Sequence, residues 1–410
     1  MDRNEYERDF IEKIVTDVSN KINHVPLHVA DYLVGLKSRI LKVKSLLDLG
    51  SIDGVYIIGI LGTGGMGKTT LAQAVYNLIA NQFECKCFLH NVRENSVKHG
   101  LEYLQEQLLF KSIGLETKFG HVNEGIPIIK QRLCQKKVLL ILDDVDKIKQ
   151  LQVLIGEPAW LGYGSRVIIT TRDKQLLSGH QIKRIYEAGG LNNKQALELL
   201  RKVAFKSNKN DSRYDYILNR AVKYASGLPL ALEVVGSNLF GKSIQECESL
   251  LDKYERIPHE DIQKILKVSY DALDEEQQSV FLDIACIFKG RRKEYVQEVL
   301  HDHYGYRIES HIGVLVDKSL IKINGEYYGG VTLHDLIEDM GIEIVRQESI
   351  KEPGERSRLW RYDDIVHVLQ ENTVRLISMN NLLFLLTMAL LFLDLITCTC
   401  SSSSSYLYGG

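Results

Sequence analysis

Five nearly continuous apolar runs mark the first half of the chain: "VYIIGIL", "CKCFLHNV", "KVLLILDD", "SRVIITT" and "KRIYEA", between about residues 55 and 187. Unbroken apolarity over five to eight positions is what strands buried on both faces show. Stretches of helical period lie between the runs, and this alternation predicts a doubly wound α/β domain with a mostly parallel sheet over residues 31–189. From 190 to 288 the period is helical throughout, in "NNKQALELLRKVAFK", "DYILNRAVKYA", "PLALEVVGSNLF", "IQKILKVSYDAL" and "EEQQSVFLDIACIF". An all-α bundle is expected there. Residues 289–373 mix types. Helices "RKEYVQEVLHDH" and "IESHIGVLVDKS" precede short strands "LIKIN" and "GGVTL", and a helix follows from His334 to about Ile350. Helices followed by a short hairpin predict a winged-helix domain. Ahead of the sheet, Phe10, Ile14, Val18 and Ile22 recur every fourth position beside Ile11 and Val15, so an amphipathic linker helix is expected within 1–30. No repeat of about 20–50 residues is visible, which excludes a solenoid.

The end of the chain breaks this pattern. "LLFLLTMALLFLDLI", 382–396, is almost wholly apolar and is followed by "TCTCSSSSSYLYGG". Spanning a bilayer takes about 20 apolar residues. This run is shorter and carries Asp394, so residues 374–410 read as an atypical, non-native tail rather than a membrane segment. Composition adds little elsewhere: 45% hydrophobic, 25% charged and a net charge of −2 are ordinary globular values. No basic excess points to nucleic acid. The seven cysteines are odd in number and form no CxxC pair. No zinc site is visible, and a reducing intracellular compartment fits. The charged start "MDRNEYERDF" has no signal peptide.

The chemistry concentrates behind the first strand. Gly62-Thr63-Gly64-Gly65-Met66-Gly67-Lys68-Thr69 fits G-x-x-x-x-G-K-[ST] and lies between a buried strand and a helix. The glycines let the loop curl with its N–H groups inward, toward phosphate oxygens. The helix beginning near Lys68 adds its positive end. Lys68 is expected on the β- and γ-phosphates, Thr69 on Mg²⁺, and Thr70 in support. "KVLLILDDVD" supplies the second element a P-loop needs. Asp143 is expected to anchor Mg²⁺ and Asp144 to orient or activate the attacking water. Arg172 of "GSRVIITTRD" ends the next strand, at the sheet edge where ligands of such folds bind, and is placed to meet a γ-phosphate.

"GTGGMGKTT", "FLHNVRENS", "KVLLILDDVD", "GSRVIITTRD", "GLPLAL", "FLDIACIFKG" and "LHDL" follow one another in the order of the NB-ARC module. Over about residues 5–373 the chain resembles a plant disease-resistance protein of the nucleotide-binding, leucine-rich-repeat class. Asp146 after "LDDV", and "FLHNVRENS" itself, resemble the subclass with an N-terminal Toll/interleukin-1-receptor domain. The resemblance implies a P-loop ATPase domain, a helical bundle and a winged-helix domain with ADP or ATP and Mg²⁺ between them. It implies Val34 at the adenine edge, Pro229 on the base and His334 near the ADP β-phosphate. Leu333 stands where the family usually has methionine, a swap of similar volume. It also implies that the NAD-cleaving signalling domain and the leucine-rich repeats are absent, leaving the core without its usual input and output parts.

The favoured expectation is an ADP/ATP-operated switch of plant innate immunity, closed with ADP and active with ATP. At most it is a slow ATPase, cytoplasmic with a nuclear location open, and able to associate with itself or with other immune receptors. Two rivals stay open: a P-loop ATPase of ordinary turnover, which shares Lys68, Thr69, Asp143 and Asp144, and a nucleotide-binding adaptor or decoy for full-length receptors. DNA binding through "KGRRKEY", 289–295, is weaker, since short basic runs are usually solvated faces.

Overall fold

The computed structural model describes residues 26–205, 214–305, 307–324 and 329–371. The linker helix expected within 1–30, apart from its last five positions, and the tail at 374–410 lie outside the described residues. The chain divides into two compact units, Met1–Ser269 with Asp317–Leu320, and Tyr270–Val316 with Ile321–Gly410.

In the first unit, α1 (Leu36–Leu47) leads to β1 (Tyr56–Leu61), α2 (Lys68–Ile79), β2 (Cys85–Leu89), α3 (Val92–Ile113), α4 (Val122–Leu133) and β3 (Val138–Val145). Then come α5 (Ile148–Leu154), β4 (Arg166–Thr171), α6 (Lys174–Gly179) and β5 (Arg184–Glu187). The five strands predicted from the apolar runs form one sheet, ordered β2-β3-β4-β1-β5, and every pairing is parallel. Parallel neighbours require crossover connections, which the helices provide. Because all strands run the same way, their C-terminal ends share one edge. Leu61 lies level with Thr171 and Glu187, and Val145 with Thr171. Everything that leaves β1, β3 and β4 therefore converges there.

Alternation along β2 sends Cys85, Cys87 and Leu89 to one face, in a core with Leu104 and Leu108 of α3, Ile129 and Leu133 of α4, and Leu140 and Leu142 of β3. Full burial of such side chains is worth about 1.5–3 kcal/mol each. Burial also pushes the Cys87 thiol up to about 12, so it serves packing and not reactivity. The helix α3 is broken at Gly100, whose φ of 86° no helix allows.

The C-terminus of α1 is tied to the sheet by a buried arginine. Arg166 donates to the carbonyls of Leu47 (2.6 Å), Asp48 (2.5 Å), Ser51 (2.5 Å) and Ser165 (3.0 Å). Arg184 reaches the Leu46 carbonyl at 2.7 Å, and both guanidinium groups lie over the Tyr56 ring. The last carbonyls of a helix lack internal partners, and these cations satisfy them.

Among the described residues the unit is completed by helices α7 (Asn193–Phe205), α8 (Asp215–Ala225), α9 (Pro229–Leu239), α10 (Ile244–Arg256) and α11 (Glu260–Asp271), the last crossing the boundary at Ser269. Pro229 occupies the first turn of α9, where its missing N–H costs nothing. The apolar period did not predict α10. Its start is a capping box in which Ser243 and Glu246 exchange side-chain and backbone bonds, and it buries only Cys247, Leu251 and Tyr254.

In the second unit, α12 (Glu275–Asp283) begins with an Asp274–Gln277 capping box and runs into a π-helical turn, Ile284–Phe288. Then follow α13 (Lys293–Tyr304), α14 (Arg307–Asp317), an antiparallel pair β6 (Lys322–Asn324) and β7 (Gly330–Thr332), α15 (Asp335–Glu348) and α16 (Tyr362–Glu371). The hairpin and its helices match the predicted winged-helix order, with α15 starting one residue after His334. A Cβ on Gly341 would stand 2.6 Å from the Ala285 Cβ, so α15 lies tight against the π turn. Arg358 reaches back to α12, bonding Asp283 at 2.8 Å and the Ser279 carbonyl at 3.0 Å.

Candidate functional site

The loop between β1 and α2 is built by its glycines. Gly65 (φ 76°) and Gly67 (φ 81°) take left-handed conformations that a side chain would strain. Lys68, the first residue of α2, is buried and turns back over the loop. Its Nζ donates to the carbonyl oxygens of Gly62 (2.7 Å) and Thr63 (2.9 Å). Burial, and after it the nearby Arg172 charge, push its ammonium down to about 7, while Asp144 and Asp143 pull the other way. A buried cation held below its usual range lacks a strong anionic partner, and a phosphate is such a partner. Met66 is buried in the loop, and Thr70 is half-buried on the first turn of α2.

Asp143 ends the apolar part of β3 and is buried. One carboxylate oxygen accepts from the hydroxyls of Thr69 (2.8 Å) and Thr170 (2.7 Å). The Thr170 oxygen in turn accepts from the Asp144 backbone N–H at 2.9 Å. One hydroxyl and one carboxylate, both hard oxygens beside a phosphate loop, fit Mg²⁺, which is usually held by one or two protein oxygens together with substrate phosphates and water. Among the described residues no group of three or more His, Cys, Asp or Glu side chains stands ready for a metal.

Asp144 differs from its neighbour. The register of β3 against β4 shifts between Leu142 and Val145, and Asp144 has a φ of 56°. This bulge turns its side chain toward two arginines. Oδ2 accepts from Arg93 Nε at 2.8 Å, and Oδ1 stands 3.7 Å from Arg172 Nε. The sequence reading gave Asp144 to the attacking water, whereas the structure pairs it with cations.

Arg172 is close to the loop. A Cβ placed on Gly64 would be 2.7 Å from its Nη1, which donates to the Ile265 carbonyl of α11 at 2.7 Å. Burial, partly offset by Asp144, pushes its guanidinium below the usual range. Further elements of the same unit cover the loop. The Leu230 N–H donates to the Gly65 carbonyl at 3.2 Å, and Pro229 Cγ lies 3.9 Å from where a Gly67 Cβ would be. Thr63 Oγ1 donates to the Ser319 carbonyl, Ser319 Oγ to the Arg172 carbonyl, and Lys318 pairs with Asp173 at 2.6 Å.

The structure thus brings together Gly62, Gly64, Gly65, Met66, Gly67, Lys68, Thr69, Asp143, Asp144, Arg172 and Pro229. Val34 is buried on the segment before α1, and its neighbour Gly35 lies against Leu191 and Gln195 near the start of α7. His334 belongs to the second unit, where its Nδ1 accepts from the Leu336 N–H at 3.3 Å and caps α15. Thr170 and Arg93 were missed. Thr170 and Thr171 are both buried at the end of β4, so "IITTRD" does not say which of them meets Asp143. Nothing in "FLHNVRENS" says that its arginine meets Asp144, because that contact crosses from α3 to β3.

The NB-ARC domain family matches residues 37–210, and the winged-helix domain of Roq1-like disease-resistance proteins matches residues 274–349. TMV resistance protein N of Nicotiana glutinosa is 38% identical over 379 residues, covering 90% of this chain and 32% of that protein. Disease resistance protein RPV1 of Vitis rotundifolia is 41% identical over 357 residues, covering 87% and 25%. The chain therefore spans about a quarter to a third of the length of these relatives. Among solved structures, a Walker-type ATPase of Pyrococcus abyssi superposes with a TM-score of 0.52 at 13% identity, covering 78% of this chain and 99% of that one. This likeness is one of fold. No helix among the described residues is long and apolar enough to cross a membrane.

Proposed function

Because the chain belongs to the NB-ARC family of plant disease-resistance proteins, we propose that it works as an adenine-nucleotide switch, closed with ADP and open with ATP, that hydrolyses ATP slowly. The observation that carries this reading is the company the phosphate loop keeps. The start of α9, the α11 carbonyl that holds Arg172, and the 317–320 turn all bond to the loop or to the strand end beside it. A phosphate in the loop would compete for the donors of these bonds, Arg172 Nη1 foremost. A ligand shifts an equilibrium only by its different affinities for the two states.

In this reading Lys68 leaves the Gly62 and Thr63 carbonyls for the β- and γ-phosphates and regains its charge. Thr69 and Asp143 hold Mg²⁺, which offsets phosphate charge and fixes its geometry when bound. Arg172 faces two claimants, the Ile265 carbonyl and a γ-phosphate, and a diphosphate offers only the first. Pro229 meets the base, as the family resemblance implies. Reversing a 1:99 population takes about 5.5 kcal/mol, a sum to which the γ-phosphate contact of Arg172 contributes. The open state would associate with further copies or with other immune receptors, in the cytoplasm.

The test is to denature the purified chain, identify the released nucleotide, and compare the hydrodynamic size of the ADP- and ATP-loaded forms. Retained ADP that is lost in Lys68→Ala, with a larger ATP form, supports the proposal. No uptake of either nucleotide at millimolar Mg²⁺-nucleotide would end it, and equal size and compactness in both forms would remove the switch.

A further inference from the structure

Asp144 stands next to the carboxylate that faces the metal position, yet its own charge is spent elsewhere. We propose that Arg93 is a positioning residue that latches Asp144 away from the attacking water and so sets a slow rate of ATP hydrolysis. This rests on the nucleotide-switch reading above and adds to it the device that would make hydrolysis slow.

The latch is a built contact. Asn91, with a φ of 49°, turns the chain out of β2 so that Arg93 falls on the first turn of α3. The Arg93 carbonyl accepts from Ser96 Oγ at 2.8 Å. Ser96 Oγ accepts from Gln150 Nε2 at 2.9 Å, and that same amide donates to Asp146 Oδ1 at 2.7 Å. Gln150 Oε1 accepts the N–H groups of Asp146 (3.0 Å) and Lys147 (3.1 Å). Gln150 is almost fully buried. One buried amide therefore staples the start of α3 to the loop behind Asp144, and the spacing of Arg93 from Asp144 is fixed from both sides.

The chemical consequence follows from the pair itself. A general base needs a free lone pair aimed at the water it orients. Asp144 Oδ2 is committed to Arg93 Nε by a charge-assisted bond, which is about twice as strong as a neutral one. The two arginines on Asp144 differ in what can draw them off. Arg172 also lies against the loop at Gly64, where a γ-phosphate would compete for it. Arg93 is carried by the stapled turn of α3 and keeps its hold.

The experiment is a single-turnover assay with Mg²⁺ and ATP labelled on the γ-phosphate, run beside fluorescent-ADP binding, on the whole chain. Arg93→Gln should release phosphate at least about tenfold faster, equal to about 1.4 kcal/mol of barrier, with ADP affinity within about threefold of wild type. Arg93→Lys keeps the cation and should stay slow. Asp144→Asn should be slow, and adding Arg93→Gln to it should bring no acceleration. A merely structural role for Arg93 would weaken binding and lower the melting temperature but could not speed turnover. Ser96→Ala, which cuts the staple, should accelerate about two- to threefold, and it decides the matter if Arg93→Gln does not fold. Retained ADP affinity with no acceleration in the variant that folds would overturn the latch and leave the switch standing. Wild-type protein that takes up no nucleotide would overturn both, and the binding arm shows this before any rate is read.

Discussion

Lys68 offers the most exposed prediction, because its buried ammonium sits near 7 instead of 10.5. Take nucleotide binding at pH 8. With a pKa of about 7, only about a tenth of free-protein Lys68 is charged. Phosphate oxygens replacing the Gly62 and Thr63 carbonyls favour the charged form and return the pKa toward 10.5. Binding should therefore take up about 0.9 proton per site at pH 8 and only about 0.1 at pH 6. The nucleotide loses its own last proton near about pH 6, so it contributes little at pH 8. Affinity should fall almost tenfold per pH unit above pH 7 and level off below pH 6. Titration calorimetry of Mg²⁺-ADP at pH 8 in two buffers of different ionisation heat reads the proton directly. Lys68→Met should abolish both the buffer dependence and most of the affinity. Equal heats in both buffers, with wild-type affinity flat from pH 7 to 9, would refute the reasoning. Unfolding has the same sign. The unfolded lysine stays charged up to about 10.5 while the folded one is neutral above about 7, so unfolding takes up a proton in that window. Ligand-free stability should accordingly rise with pH from about 7 to 10.5.

Four further outcomes are expected. Thr170→Val removes a hydroxyl that bridges Asp143 and the Asp144 N–H. It should weaken Mg²⁺-dependent ATP binding by about 1–3 kcal/mol while sparing Mg²⁺-free ADP binding, as measured by fluorescence titration with and without chelator. Gly65→Ala puts a Cβ 2.8 Å from that of Leu230 at a φ of 76°, so ADP retention after gel filtration should fall sharply while circular dichroism stays native. Arg166→Met removes a donor from four carbonyls, of which Asp48 and Ser165 keep a backbone N–H partner, and should cost about 2–3 kcal/mol in denaturant unfolding. In the second unit, a double-mutant cycle on Arg358→Met and Asp283→Asn should show coupling above about 1 kcal/mol, since both side chains are largely buried.

Much of this architecture was legible because it follows from one-dimensional pattern. Strands buried on both faces declare themselves by length and apolarity, as "KVLLILDD" and "SRVIITT" did. The loop glycines and Lys68 are a local motif, complete within eight residues. What stayed hidden depends on contacts between distant segments. Helix α10 buries three side chains and is specified as much by its Ser243–Glu246 cap as by its period. The π turn at Ile284–Phe288 has the composition of ordinary helix, and only the close approach of Gly341 marks it. The pairing of Asp144 with Arg93 needs a bulge in β3 and a turn at Asn91; Asn and Asp suit such φ values, but residue type does not say which arginine arrives there.

Asp143 and Asp144 show why neighbouring carboxylates can carry opposite tasks. Along a strand, successive side chains point to opposite faces, and the bulge adds a further turn at the second. Asp143 is left with hydroxyl hydrogen-bond partners and no guanidinium, beside Thr69 where a cation would sit. Asp144 receives the guanidinium of Arg93 and lies near a second. An ordinary turnover ATPase needs both acids free, one for metal and one for water. A fold that leaves the metal acid open and latches the water acid is suited to holding a triphosphate longer than it hydrolyses one. On the proposed reading the lifetime of the ATP state is then set by the strength of one ion pair. Each 1.4 kcal/mol gained or lost at Arg93 should change that lifetime about tenfold, with the phosphate loop itself untouched.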